Sequence, residues 1–444
     1  MSERKAYKRI RELSEEICSK QIRSAARKEG DQISCTRQRI MPLSDILTCT
    51  LAKKGLSTVM EIRDYFDSVG KAEQTVSKQD YLRQRQKLNP EVFKLLNGNY
   101  LKRFYQGEES KGWRGYLVMA IDGSRAEVPN SEENRQAYGI NGNQYGETSV
   151  RANISTLYDV CNRFIVDVGI HPCQGSEISE AKEQIAALKR TVGERKTLII
   201  FDRGYVSLEF MDFLERSGVF YLIRLQPGTF KAEAAQMQRC DEWVEIKHTA
   251  GRLWRLKKAM PERGQEMEET GTTCTRMVKT EFRNEKHGIL ITNLKEGSAG
   301  DIRHLYRKRW MIEQKYHTLK NKMKFESVTG KANIYVKQDF WAQMLVFNII
   351  QDLITSAEKR AVEKSKKKQC RYEIRINENI AIGLFKKQFI NLIMEEDDCR
   401  KGAMFSRLIT DMEQYIVPIR KNQKSSPRKW KRFNKYKCNQ KPSF

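Results

Sequence analysis

The sequence predicts an α/β protein flanked by helical regions, and three observations carry that prediction. Two continuous apolar runs, YLVMAIDGS at 116–124 and TLIIFDRGY at 197–205, have the composition of strands buried on both faces. From about Gly112 to residue 225 the hydrophobic pattern gives three strands, helix, strand, helix, strand. Residues 1 to about 110, and most of those after Lys320, carry apolar positions at helical spacing instead.

The N-terminal region, 1–110, opens with RKAYKRIRELSEEICSKQIRSAAR, which reads as one helix. MPLSDILTCTLAKKG reads as a second, started near Pro42 and stopped at Gly55, and STVMEIRDYFDSV as a third. In VSKQDYLRQRQKLNPEVFKLLNGNYLKRFY, Ser77 caps a helix that Arg83, Arg85 and Lys87 decorate, and Asn89-Pro90 breaks it before another begins. A short helix pair with a basic second member suits docking to DNA. A plain bundle with a solvated basic face fits the same pattern.

The central domain is expected at 112–362. Its first strand delivers Asp122 to a turn at Gly123. In the polar stretch that follows, Gly139, Gly142 and Gly146 are spaced wrongly for a dinucleotide loop and mark a mobile loop. SVRANISTLYDV and NRFIVDVGI form a hairpin around Asn162, and SEISEAKEQIAALKRTVG is an amphipathic helix ended by Gly193. The Asp202 strand, the helix SLEFMDFLERSG and the strand VFYLIRL complete the order. Residues from about 226 to 295 interrupt it: CDEWVEIKH, LWRLKKAM, TRMVKTEF and GILITNL read as strands of a β-rich insertion. Trp243 and Trp254 lie there; a tryptophan can stack on a flipped base, but packing is the expectation. Arg203, beside Asp202, can touch phosphate or pair with an acid.

YRKRWMIEQKYHTLK has no Pro or Gly and reads as one helix. Tyr306, Arg309, Glu313 and Lys320 stand at offsets 0, 3, 7 and 14 in it. At about 100° per residue they fall at roughly 0°, 300°, 340° and 320°, one narrow stripe. DFWAQMLVFNIIQDLITSAEKRAV is an apolar helix assigned to the core of the central domain, and KSKKKQ at 364–369 a basic linker. The C-terminal region, 370–444, adds two amphipathic helices and a tail. From Arg420 that tail carries ten Lys or Arg and no Asp or Glu, with Trp430, Phe433 and Tyr436 among them. Such a tail suits a nucleic-acid groove or stays disordered until it meets one.

The net charge of +26 calls for a polyanionic partner, first of all nucleic acid. No apolar run reaches membrane-spanning length. The charged N-terminus lacks a secretory apolar segment, so a cytoplasmic protein is expected. The ten cysteines are scattered singly without a CxxC pair, the pattern of reduced, mostly buried thiols rather than a zinc site.

The chemistry converges on three acids. Asp122 and Asp202 each end an apolar strand, where sites collect in open α/β sheets. With Glu313 they make three hard oxygen ligands, a poor zinc set and a good magnesium or manganese set. Three carboxylates can hold two such ions roughly 4 Å apart around a phosphodiester.

In these residues the chain resembles the DDE transposases with an RNase H-like fold. The spacing Tyr306-(2)-Arg309-(3)-Glu313-(6)-Lys320 matches the Y-(2)-R-(3)-E-(6)-K motif of the bacterial insertion-sequence-four family, and IDGS, FDRGY, ITNL and YRKRWMIE agree with its contexts. The resemblance runs from about residue 36 to the C-terminus. It implies an RNase H-like catalytic domain whose first and fourth strands lie side by side, with a β-rich insertion. It also implies Asp122, Asp202 and Glu313 as catalytic acids holding two Mg2+ or Mn2+ ions, and Tyr306, Arg309 and Lys320 as phosphate contacts. The implied activity is cleavage of transposon ends in double-stranded DNA and joining to target DNA, with a homodimer in the synaptic complex and a hairpin intermediate as one route. A nuclease that cuts without joining, and a silent DNA-binding descendant, remain the alternatives.

Overall fold

Apolar runs become strands and helical spacing becomes helices in the structure, a computed structural model that describes residues 2–31, 34, 40–142, 148–282, 285–367 and 372–419. The chain forms two compact units. The first is drawn from Met1–Phe104, Ala126–Ala152 and His317–Phe444, the second from Tyr105–Arg125 and Asn153–Tyr316.

The strands of the main sheet are β1 (Leu117–Glu127), β2 (Ile140–Gly142), β3 (Thr148–Asp159), β4 (Phe164–His171), β5 (Thr197–Phe201), β6 (Phe220–Arg224), β7 (Asp241–Lys247), β8 (Thr272–Phe282) and β9 (Glu285–Thr292). In the second unit their order is β4-β3-β1-β5-β6-β9-β8-β7. β1, β5 and β6 are parallel neighbours, and β9, β8 and β7 continue antiparallel. The expected adjacency of the Asp122 and Asp202 strands is therefore present. Leu117–Ile121 and Thr197–Phe201 are buried without a break, which is why both runs are apolar apart from Thr197. The β1–β5 register ends at Ala120 opposite Ile200, so Asp122 and Asp202 each lie two residues past it; Asp202 follows the last residue of β5, whereas β1 runs on to Glu127, so Asp122 sits inside its strand and the turn expected at Gly123 is absent. The helix Glu177–Val192 follows β4 and stops at Gly193, whose φ of 71° suits a residue without a side chain.

In the first unit the dominant element is the helix Asn333–Lys367, 35 residues long. Two ion clusters tie the N-terminal helices to it. Asp339, fully buried, pairs with Lys53 at 2.6 Å and Arg85 at 2.8 Å. Asp352 accepts from Arg9 at 2.8 Å and from the Tyr100 hydroxyl at 2.7 Å. Helices Glu378–Met394 and Asp398–Gln414 follow, framed by an antiparallel ladder of Glu373–Ile376 with Ile416–Ile419.

Several expectations are corrected. The first helix is two, Ser2–Ile17 and Lys20–Ala25, because the Ser19 side chain caps a new start. Arg85 does not decorate a surface; it is 1% exposed and serves Asp339. The polar stretch after β1 contains a helix, Glu132–Tyr138, rather than only a loop. LWRLKKAM lies in a helix, Ala250–Ala259, because Leu253 and Leu256 share one buried helical face while the cations between them stay outside. A second helix, Pro261–Thr270, follows it, so the insertion is mixed rather than β-rich. Trp243 and Trp254 are 45% and 55% exposed and are not packing residues. Lys364–Lys367, expected as linker, still belongs to the long helix. All seven described cysteines are free thiols, and only Cys49 among them is buried. The tail from Arg420, with Trp430, Phe433 and Tyr436, lies outside the described residues, as does Gly146.

Candidate active site

Strand composition positions two acids, and an irregular helix brings the rest. A helix at Ala299–Arg307 starts on a reciprocal Ser298–Asp301 capping box. Its successor spans Trp310–His317. Between them Arg309 donates to the Tyr306 carbonyl and Ile312 to that of Arg309, bonds of the tighter i to i−3 type. Beyond His317 the chain loosens into a π turn, Thr318–Lys322, in which Met323 donates to the Thr318 carbonyl. The single uniform helix expected over 306–320 is thus overwound at one end and underwound at the other. A constant 100° step assumes i to i−4 bonding throughout and cannot register either change.

Tyr306 is 3% exposed, and its hydroxyl donates to Oδ1 of Asp202 at 3.3 Å. Arg309 is 6% exposed; its Nη2 lies 2.8 Å from Oε1 of Glu313 and its Nη1 3.5 Å from Oδ2 of Asp122. The structure therefore gathers Asp122 and Glu313 around one guanidinium and sets Asp202 against Tyr306. Tyr316, not singled out in the sequence, donates to the Asp122 carbonyl at 2.7 Å and so fixes the β1 backbone at that point. Its three-residue offset from Glu313 was the available signal. Lys320 lies in the π turn, within the first unit. Burial lowers its pKa, with nearby Glu326 opposing and Arg151 adding.

Burial lifts the Asp122 carboxyl to about 6; Arg309 and the Gly123 amide oppose the shift, while Glu313 and Asp202 add to it. Burial works to lower the Arg309 pKa, but Asp202, Tyr306, Asp122 and Glu313 outweigh it and hold it above its ordinary value. The carboxylates are hard oxygen donors of the kind a divalent magnesium-type ion takes. Among the described residues, no group of three His, Cys, Asp or Glu side chains is spaced to hold a metal ion. The Arg309 guanidinium is seated between Asp122 and Glu313 and supplies the positive charge there. Its Nε is buried without a partner, an idle donor in an acid-lined pocket.

Comparison with known proteins agrees with this chemistry. Residues 113–349, more than half of the chain, match the family described as transposase DDE domain. The chain is 24% identical over 287 residues to the transposase InsG for insertion sequence element IS4 of Escherichia coli strain K12. That alignment covers 62% of this chain and 60% of the relative, less than two thirds of its length. Among solved structures, a piggyBac transposase synaptic complex with hairpin DNA aligns over 94% of this chain and 84% of its own, at 10% identity and a TM-score of 0.41. A score that low does not establish a shared fold. On the match over 113–349, the chain belongs to the DDE transposases, in the insertion-sequence-four family.

Proposed function

We propose that this chain is a cut-and-paste DNA transposase that cleaves the ends of its element and joins them to target DNA. The observation that carries the reading is the Arg309 guanidinium joining Asp122, on the strand beside the one that Asp202 follows, to Glu313 on a later helix. The strand order β4-β3-β1-β5-β6 supports an RNase H-like core interrupted by the insertion at about 226–295. Asp122, Asp202 and Glu313 are the acids that would hold the divalent ions, two Mg2+ or Mn2+. When bound, such ions lower the pKa of a water nucleophile and stabilise the leaving oxygen of a phosphodiester.

The chain's own residues do the positioning. Tyr306 aims the Asp202 carboxylate, and Tyr316 holds the backbone that carries Asp122. Arg309 keeps three acids compatible in a partly dehydrated pocket, and its idle Nε suits a phosphate oxygen at the cut end. Tyr306 and Lys320 are the other phosphate contacts in this reading. The helical region 1–110, the catalytic region 112–362 and the basic region 370–444 share the DNA, which includes the terminal inverted repeats and the target. The charge of +26 makes that binding fall steeply with salt. The assembly on paired ends is a homodimer in the cytoplasm, on the nucleoid; among the described residues no helix is long and apolar enough to cross a membrane.

The test uses labelled terminal-repeat DNA, a plasmid target and Mg2+. Joined products are expected from the parent, and cleavage without joining would indicate a nuclease. Asp122→Asn, Asp202→Asn and Glu313→Gln should each abolish cleavage and keep DNA binding. A Glu313→Gln protein that still nicks the repeats would refute the site.

A further inference from the structure

One carboxylate holds both ends of the π turn that carries Lys320. Glu378 opens the helix Glu378–Met394, and its Oε2 accepts from the Thr318 hydroxyl at 3.1 Å and from Nζ of Lys322 at 3.1 Å. Thr318 and Lys322 are the first and last residues of the turn. The other oxygen, Oε1, accepts from the Gln351 amide at 2.9 Å. Gln351 lies on the long helix Asn333–Lys367 and is 1% exposed, so the carboxylate is itself fixed from behind. Lys386, two turns along the same helix as Glu378, donates to the carbonyl of Met323, the residue just past the turn. All of these residues belong to the first unit.

An acid in a first helical turn is ordinary, because the helix dipole favours it there. That role needs no contact with a distant segment, yet Glu378 reaches back 60 and 56 residues to one short turn. The turn is an unusual one. Met323 donates to the Thr318 carbonyl, an i to i−5 bond, and such turns are rare and concentrate at functional places. Relaxation to ordinary i to i−4 bonding would change the rotation of Lys320 about the helix axis. Lys320 is the middle residue, two positions from each clamped end, and so stands roughly opposite the face that Glu378 grips. Glu378 neutralises Lys322. Of the two lysines in the turn, Lys320 is the one directed elsewhere.

We propose that Glu378 is a positioning residue for the reaction: by gripping both ends of the π turn it sets the rotation of Lys320, and with it the hold of that lysine on a phosphate at the cut end. The proposal rests on the reading of Lys320 as a phosphate contact. Glu378 itself touches no DNA. Charge alone predicts the opposite effect. Removing this acid releases Lys322 and raises the net charge, which strengthens binding to any duplex. Positioning predicts weaker binding, and only at the cut end.

The test is a gel-shift titration of the full chain, without divalent ions, on a cut terminal-repeat end and on a random duplex. Glu378→Ala should lose about tenfold in affinity for the cut end, the scale of one charged hydrogen bond, and lose nothing on the random duplex. Lys320→Met should show a loss of the same size. The double variant should lose no more than Lys320→Met alone, because two residues acting through one contact are not additive. Glu378→Gln, whose amide oxygen can still accept from Thr318, should recover part of the affinity, and it carries the same cycle if the Ala protein does not fold. Equal loss from the Glu378 change in the parent and in the Lys320→Met background would show that Glu378 acts independently of Lys320 and overturn the proposal. A gain at the cut end would overturn it as well. Parent-like binding by Lys320→Met would remove that lysine from the phosphate contacts, and the proposal with it, while the transposase reading would still stand or fall on the cleavage and joining assay.

Discussion

Replacing Lys386 with Met should make the protein more stable at neutral pH. Lys386 is 8% exposed, and its Nζ reaches the Met323 carbonyl at 3.3 Å, just past the π turn that carries Lys320. Burial lowers its pKa from 10.5 to about 8; Glu61 opposes, and Lys53 and Lys54 add to the drop. At pH 7 the amine is charged in both folded and unfolded chains, so folding carries the whole desolvation cost. With 1.36 kcal/mol for each pH unit, that cost is about 3 kcal/mol. As pH rises from 8 toward 10.5 the folded chain sheds the proton that the unfolded chain still holds, so the parent gains stability through this window. The Met variant has no such group. Losing the bond to Met323 removes about 1 kcal/mol and leaves the sign unchanged. Urea unfolding of both proteins at pH 7, 9 and 10.5 should show a Lys386→Met advantage of about 2 kcal/mol at pH 7 that disappears by the highest pH. A variant less stable than the parent at pH 7, or a difference independent of pH, would refute this reasoning.

Two further outcomes follow from buried charge. Asp339→Asn leaves Lys53 and Arg85 buried without their counter-ion and should cost about 3–5 kcal/mol in urea unfolding. Arg309→Lys keeps one charge but cannot reach both Asp122 and Glu313 with a planar fork. It should weaken binding to the cut end by about 1.5–3 kcal/mol while leaving binding to random duplex nearly unchanged, as gel-shift titrations would read out.

The legible parts of this fold were those where one local rule acts alone. Leu117–Ile121 and Thr197–Phe201 announce buried strands by composition, and Asp122 and Asp202 stand out as the first polar residues after them. Ser77 as a cap and Gly193 as a stop were equally plain. Arg85 was not, because its sequence neighbours are surface residues and its partner Asp339 is 254 positions away. LWRLKKAM is short enough to satisfy both periods, and only the burial of Leu253 and Leu256 together decides for helix. Trp243 and Trp254 were read by residue type, which says nothing of which side of a strand or helix faces out.

The distortion of the Glu313 segment explains how one helix serves two strands. Tyr306 meets Asp202, just past the end of β5, and Arg309 meets Asp122, within β1 and two residues past its pairing with β5. Neighbouring strands stand about 4.8 Å apart. Three residues advance about 4.5 Å along an α-helix and about 6 Å along a 3₁₀ turn. The three-residue step from Tyr306 to Arg309, bonded in the tighter pattern, therefore spans the distance between the two acids that it addresses. Four residues later Glu313 returns to the same side as Arg309 and pairs with it at 2.8 Å, as i and i+4 neighbours do. The spacing of Tyr306, Arg309 and Glu313 is thus set by the pitch of a sheet to which none of them belongs. Moving any of the three by one position would rotate it about 100° away from its partner. The motif must therefore keep its intervals even where the residues between them are free to change.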